Sequence, residues 1–202
     1  MHNEDHASIF FHSGNKNKIS EASQALNRFH AKVRPFDELQ QDVVVIEPQM
    51  DEFEAIVKSK LNQVLSQTNP DLKDNWVMVE DSGLVIDELG GFPGPYSSYV
   101  YASIGVEGII RLMTGASTRS ARYISSLAVW NGNEVHQFTE TCEGKISLEP
   151  AGENGFGYDP IFIPRDGNGQ TFSQMKSNQK NEISHRSKAL YSMANTLLLP
   201  SI

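Results

Sequence analysis

Asn131-Gly132-Asn133 stands between two runs of strand-forming residues, 123–130 and 135–141, and is the strongest hairpin signal in the chain. A hairpin requires neighbouring antiparallel strands, which argues against a wholly parallel sheet. Earlier in the chain, strand-like and helical patterns alternate. Residues 9–12 read as a short buried strand, Ser13-Gly14-Asn15 breaks it, and Ile19, Ala22, Leu26 and Phe29 then recur at helical spacing. Val33 is strand-like up to Pro35, and residues 43–46 form a second apolar run of strand length closed by Glu47-Pro48. Phe53, Ile56, Val57, Leu61, Val64 and Leu65 predict a long amphipathic helix with Asp51-Glu52 at its positive end. Residues 76–79 form the next strand. Glu80 and Asp81 fall at its end, before Ser82-Gly83, and an extended pattern resumes over 84–86. Residues 89–96, crowded with Gly and Pro, make a shaped loop ahead of helical sequence reaching Met113. Residues 144–146, a Gly-rich segment at 152–157, residues 161–163 and a polar turn at 167–169 precede a last helix, with Ser184 as its N-cap and Leu199 near its end. The fold class is therefore α/β or α+β, a mixed sheet with flanking helices.

Composition narrows the class further. A chain of 202 residues and 22.5 kDa fits one large domain or two joined lobes. With 39% hydrophobic and 21% charged residues and a mean hydropathy of -0.39, it reads as a soluble globular protein and not a disordered one. No apolar run approaches the ~18 residues of a membrane span. Seventeen basic against twenty-five acidic residues, a net charge of -8, argue against broad binding to nucleic-acid polymers. Cys142 is the sole cysteine, which excludes an intrachain disulfide and a thiol-rich metal site and favours a reducing compartment. Residues 1–8 are a polar extension without a signal-peptide pattern, 9–199 the domain and 200–202 a tail, so a cytoplasmic protein is expected.

Four segments carry chemistry. Ser13-Gly14-Asn15-Lys16-Asn17-Lys18 combines a glycine, a helix N-terminus and two lysines, which suits phosphate; the simpler reading is a polar turn that caps a helix. Glu47, Glu80 and Asp81 would converge if their strands were neighbours. Their mutual repulsion would then be relieved by Mg²⁺, with a spare carboxylate activating water; solvated strand ends are the alternative. Gly155-Phe156-Gly157-Tyr158-Asp159-Pro160 sets two aromatics among glycines, able to stack on a planar ring or to plug the core beneath a tight turn. His185 and Arg186 follow the cap Ser184, where the helix dipole disfavours cations. Their presence points to a compensating phosphate, base carbonyl oxygen or local carboxylate.

In this order the segments resemble the inosine triphosphate pyrophosphatase family, whose members hydrolyse non-canonical purine nucleoside triphosphates to monophosphate and pyrophosphate. The resemblance runs from about Ile9 to Leu198. It rests on Ser13-Gly14-Asn15 with Lys18 and Glu21, on Glu47 with Lys60, and on Glu80-Asp81-Ser82-Gly83-Leu84 followed by Gly91-Phe92-Pro93-Gly94-Pro95-Tyr96. It continues through Gly155-Phe156-Gly157-Tyr158-Asp159-Pro160-Ile161-Phe162 and ends with Lys180-Asn181-Glu182-Ile183-Ser184-His185-Arg186.

The resemblance implies an elongated mixed β-sheet with flanking helices, two lobes around a nucleotide cleft, and a homodimer. It implies that Ser13, Gly14, Asn15, Lys16, Asn17, Lys18, Lys60 and Lys180 hold the triphosphate. Glu47 and Asp81 position Mg²⁺, Asp81 also acts as general base, and Ser82 contacts substrate. Phe156 stacks on the purine, Gly157, Tyr158 and Asp159 shape the base and sugar end, and His185 with Arg186 faces the oxygen at purine position six. A donor aimed there accepts a 6-oxo group and rejects adenine's amino group. Three positions depart from the family pattern: Ala151 and Ser98, where basic residues are common, and Gln174, where glutamate is usual. The competing readings are a Maf-like pyrophosphatase for other nucleotides, a nucleotide sensor without turnover, and a purely structural interaction protein.

Overall fold

The computed structural model describes residues 8–69 and 75–199. The tail at 200–202 and all but the last residue of the expected N-terminal extension lie outside them. Six strands, β1 (Ser8–His12), β2 (Lys32–Pro35), β3 (Trp76–Ile86), β4 (Ser120–Trp130), β5 (Val135–Ile146) and β6 (Phe162–Pro164), form one sheet in the order β2-β1-β3-β4-β5-β6. The helices are α1 (Lys16–Leu26), α2 (Phe53–Gln67), α3 (Ser97–Leu112), α4 (Ser177–Ile183) and α5 (His185–Leu197). β1 runs parallel to both β2 and β3, whereas β5 and β6 are antiparallel, so the sheet is mixed and the fold α/β. The expected turn at 131–133 joins β4 and β5. Asn131 builds it by accepting the N–H groups of Asn133 and Glu134 on its side-chain oxygen.

The described residues cluster into two compact units. One draws on Met1–Asp81, Ser126–Thr139 and Ala189–Ile202, the other on Ser82–Ser125 and Glu140–Lys188. In the first unit, strand alternation sorts the core into two layers. Ile9, Phe11 and Met78 pack with Ala22 and Leu26 of α1 and with Leu190 and Met193 of α5. Phe10, Val77 and Val79 pack instead with Val57, Leu61 and Val64 of α2. Each such fully buried side chain contributes about 1.5–3 kcal/mol. In the second unit one cluster joins Leu84, Ile86, Ile109, Tyr123, Ile161, Phe162 and Phe172.

Two expectations are corrected. Residues 43–46 are not a strand: Val43 and Val45 pack on the α2 layer, but Val44 and Ile46 are 67% and 75% exposed, and no strand among the described residues lies alongside them. Glu80 and Asp81 do not end a strand either; β3 continues through both to Ile86, and they are only 3% and 5% exposed. Lysine partners make that burial tolerable, and Gly83 lets the strand continue. A Cβ at Gly83 would collide with the Gly94 carbonyl oxygen, which accepts the Ser97 hydroxyl at 2.7 Å. Ser97 Oγ in turn accepts the Leu84 N–H at 2.8 Å, so the crowded wall is tied to the strand it crowds. Gly83→Ala is therefore expected to cost about 2–3 kcal/mol, read as a lower urea midpoint at constant slope. An unchanged midpoint would show that the wall yields.

α4 was not legible in the sequence because Ser177–Ile183 lacks an apolar stripe. Its buried residues are Lys180 and Asn181, both polar, and the Gln179 side chain accepts the Lys176 N–H at its start.

Candidate active site

The turn after β1 is a helix cap. Asn15 Oδ1 accepts the N–H groups of Asn17 (2.9 Å) and Lys18 (3.3 Å), and Ser13 Oγ accepts the Asn15 N–H. Gly14, Lys16 and Asn17 are exposed on this turn. Lys18 reaches back to Glu80, with Nζ 3.1 Å from Oε2. Alternation along β3 puts Glu80 on the Met78 face beside α1 and Asp81 on the Val79 face beside α2. The three carboxylates expected to converge are thus divided: Glu80 pairs with Lys18, and Asp81 joins Glu47.

Lys60 of α2 connects that second pair. Its ammonium lies 3.4 Å from Glu47, 3.2 Å from Asp81 and 3.3 Å from the Glu80 carbonyl oxygen. Burial pushes the Asp81 carboxyl up to about 7; Lys60 and Lys18 oppose the rise, and the hydrogen bond and charge of Glu47 add to it. For Glu47 partial burial works against the charge, but the hydrogen bond with Asp81 and the Lys60 ammonium outweigh it and hold its carboxyl below the usual range. The two shifts run in opposite directions, so a proton shared by this pair favours Asp81. Asp81 Oδ2 is buried with no hydrogen-bond donor among the described residues. Such an orphaned hard oxygen, beside a second carboxylate, fits Mg²⁺ in place of the shared proton. Among the described residues no three His, Cys, Asp or Glu side chains gather as a metal cluster.

The second unit holds the other group of expected site residues. Asp159, buried, accepts the Phe156 N–H at 2.8 Å and pairs with Lys180 at 2.7 Å. A Cβ at Gly155, where φ is +76°, would strike the Asp159 carboxylate, so glycine serves both the conformation and the close approach. Lys180 Nζ lies 4.9 Å from the Phe156 ring centre and the Arg186 guanidinium 5.7 Å from it. Gly157 takes a positive φ of 62° directly after Phe156. Tyr158 belongs to the core, with its hydroxyl donating to the Ser97 carbonyl at 3.0 Å. Ser82 Oγ accepts from Arg186 at 3.0 Å. His185 stacks flat on Tyr123, ring centres 4.5 Å apart and planes 6° from parallel. Ser184 Oγ accepts the Ser187 N–H and caps α5 as expected.

A family model described as the Ham1 family matches residues 9–196. The chain belongs to the Ham1 family. It is 42% identical over 187 residues to a Methanopyrus kandleri protein named dITP/XTP pyrophosphatase, covering 90% of this chain and 92% of that one. A Pyrococcus horikoshii protein of the same name is 39% identical over 190 residues, covering 90% and 92%. The solved structure of a HAM1 protein from Coxiella burnetii superposes with a TM-score of 0.78 at 29% identity, covering 95% and 98%. The kinship read from the motifs is borne out.

Against the Ham1 pattern, one departure has a structural account. Gln174 Oε1 accepts the Thr171 N–H at 2.9 Å, closing a capping box that an amide oxygen serves as well as a carboxylate. Ala151 contributes backbone only: its N–H donates to Pro160 and its carbonyl accepts the Thr171 hydroxyl. Nothing in the structure explains Ser98. Tyr123 was missed as a neighbour of the site, since an aromatic in a strand reads as core until the helix carrying His185 is placed against it. Gln63 and Gln67 were missed as well, although their i,i+4 spacing on the predicted helix was a visible signal.

Proposed function

We infer that this Ham1 protein hydrolyses non-canonical purine nucleoside triphosphates, ITP, dITP and XTP, to the monophosphate and pyrophosphate. The observation that carries the reading is the Glu47–Lys60–Asp81 constellation, with Asp81 Oδ2 buried and lacking a donor. The relatives named dITP/XTP pyrophosphatase support the substrate class.

In this reading water attacks the α-phosphorus, the bond from that phosphorus to the oxygen bridging the β-phosphate breaks, and pyrophosphate leaves. Asp81 takes the proton of the attacking water. Glu47 and Asp81 would hold Mg²⁺, which when bound neutralises phosphate charge and favours the ionised form of Asp81. Lys18 and Lys60 add positive charge for the phosphates, and the turn at Ser13, Gly14, Asn15, Lys16 and Asn17 offers polar groups beside a helix N-terminus. Phe156 stacks on the purine, and His185 and Arg186 present donors to the 6-oxo group. Ser82 steadies Arg186, Tyr158 forms a wall, and Asp159 and Lys180 fix the backbone and ring of Phe156. The exposed aromatics Phe92, Tyr96 and Tyr99 support a homodimer. Cys142, buried and unpaired with another cysteine, suits the cytoplasm; no helix among the described residues is long and apolar enough to cross a membrane.

Pyrophosphate release from ITP, XTP, ATP, GTP and dTTP, each with Mg²⁺ and with EDTA, tests this. ITP and XTP are expected to exceed ATP by about a hundredfold or more, only with the metal, because adenine's amino group leaves buried donors unpaired. Faster release from dTTP would move the protein to the Maf-like reading, and binding of ITP without cleavage to the sensor reading.

A further inference from the structure

Among the described residues no strand lies beside the segment bearing Glu47, yet its backbone is paired. Gln63 of α2 donates from Nε2 to the Ile46 carbonyl at 2.9 Å and accepts the Ile46 N–H on Oε1 at 2.9 Å. Gln67 does the same for Val44, at 2.8 Å and 3.2 Å. A primary amide sets an N–H donor beside a C=O acceptor as a peptide group does, with a second N–H to spare, so each glutamine stands in for one rung of a β-ladder. The spacing fits: four residues of helix rise about 6 Å, close to the ~6.8 Å of two strand residues. Gln67 Nε2 also donates to the Gln63 carbonyl at 2.9 Å, tying the two rungs together.

This clamp ends at Ile46, the residue before Glu47. Lys60, three residues before Gln63 on the same helix, holds the Glu47 and Asp81 carboxylates. Burial holds this segment only through Val43 and Val45: the Glu47 side chain is 58% exposed, and the Val44 and Ile46 side chains face solvent. We propose that Gln63, steadied by Gln67, is a positioning residue that sets the Glu47 carboxylate against Lys60 and Asp81 and so tunes divalent-cation binding. This rests on Glu47 being a metal ligand, as read above.

The test uses the full chain. Gln63→Met preserves length and volume but removes both hydrogen bonds to Ile46, together with a longer one to Ser59 Oγ at 3.4 Å. Mn²⁺ is titrated into the protein without nucleotide, with the free ion read by electron paramagnetic resonance. Amide exchange at Ile46, thermal stability, and the Mg²⁺ and ITP dependence of turnover are measured alongside. Gln63→Met is expected to speed exchange at Ile46 and weaken Mn²⁺ binding about tenfold, with a smaller effect for Gln67→Met. The Mg²⁺ concentration for half-maximal turnover rises in parallel, while kcat at saturating metal falls far less. In a Glu47→Gln background, Gln63→Met adds little further loss of Mn²⁺ affinity. Unchanged Mn²⁺ affinity in Gln63→Met, where Glu47→Gln does weaken it, overturns the inference alone, whatever happens to stability. Unchanged Mn²⁺ affinity in Glu47→Gln itself removes Glu47 as a ligand and overturns both.

Discussion

Asp81→Asn is expected to turn over ITP about a hundred- to ten-thousandfold more slowly than the parent chain, and the metal-free variant to be more stable than the parent at pH 8. Both results come from one carboxyl. As the proposed general base it must take a proton from water, and an amide at the same position cannot. Burial raises its folded-state value from an ordinary 3.8 to about 7, so between those two values the folded protein keeps a proton that the unfolded chain releases. The stabilisation from this proton is fully present below 3.8 and is lost as pH rises through 7. At pH 8 the displacement works against the fold by an amount on the order of a few kcal/mol. Asparagine keeps an acceptor for Lys60 but forfeits the attraction between charges, so the net gain is on the order of 1–3 kcal/mol. Thermal unfolding in EDTA at pH 5 and pH 8 should show the variant's advantage at pH 8 and a smaller one at pH 5. Turnover that survives the substitution would remove Asp81 from the base role. An advantage independent of pH would show that the carboxyl is not the strained group.

Lys180→Met is expected to cost about 3–5 kcal/mol, the scale for leaving a buried charge without its partner. The Lys180 and Asp159 side chains are 6% and 4% exposed, so neither recovers hydration when the other is removed. Methionine retains the stem and a polarisable contact with Phe156 but cannot neutralise the carboxylate. Loss of the ammonium favours the neutral form of Asp159, so the deficit is expected to shrink as pH falls from 8 to 5. Adding Asp159→Asn should restore much of the loss at pH 8 while keeping an acceptor for the Phe156 N–H. Urea unfolding of the three variants at both pH values checks this. A deficit that neither acid nor the second substitution relieves would mean that Lys180 acts through packing alone.

The family, the chemistry-bearing segments and most elements were legible because each is local. Asn15 caps α1 through its own next three residues, the stripe from Phe53 to Leu65 makes α2 amphipathic, and Ser184 caps α5 one residue before His185. Ordered motifs such as Glu80-Asp81-Ser82-Gly83 and Gly155-Phe156-Gly157 identify a lineage without any reference to what they touch. Tertiary structure decided the rest. Whether 43–46 was a strand depended on a backbone neighbour, and the neighbour turned out to be two side-chain amides of α2. Whether three carboxylates met depended on the period of β3, which sends Glu80 to Lys18 and Asp81 to Lys60. Neither compact unit is continuous in the chain, so no linker marks their boundary. Residue type and spacing by themselves determined which groups this protein can offer to a nucleotide. Burial and pairing, which depend on residues far away in sequence, determined which carboxyl is pushed toward its protonated form, which lysine is committed to a partner and which amides pair the backbone beside Glu47.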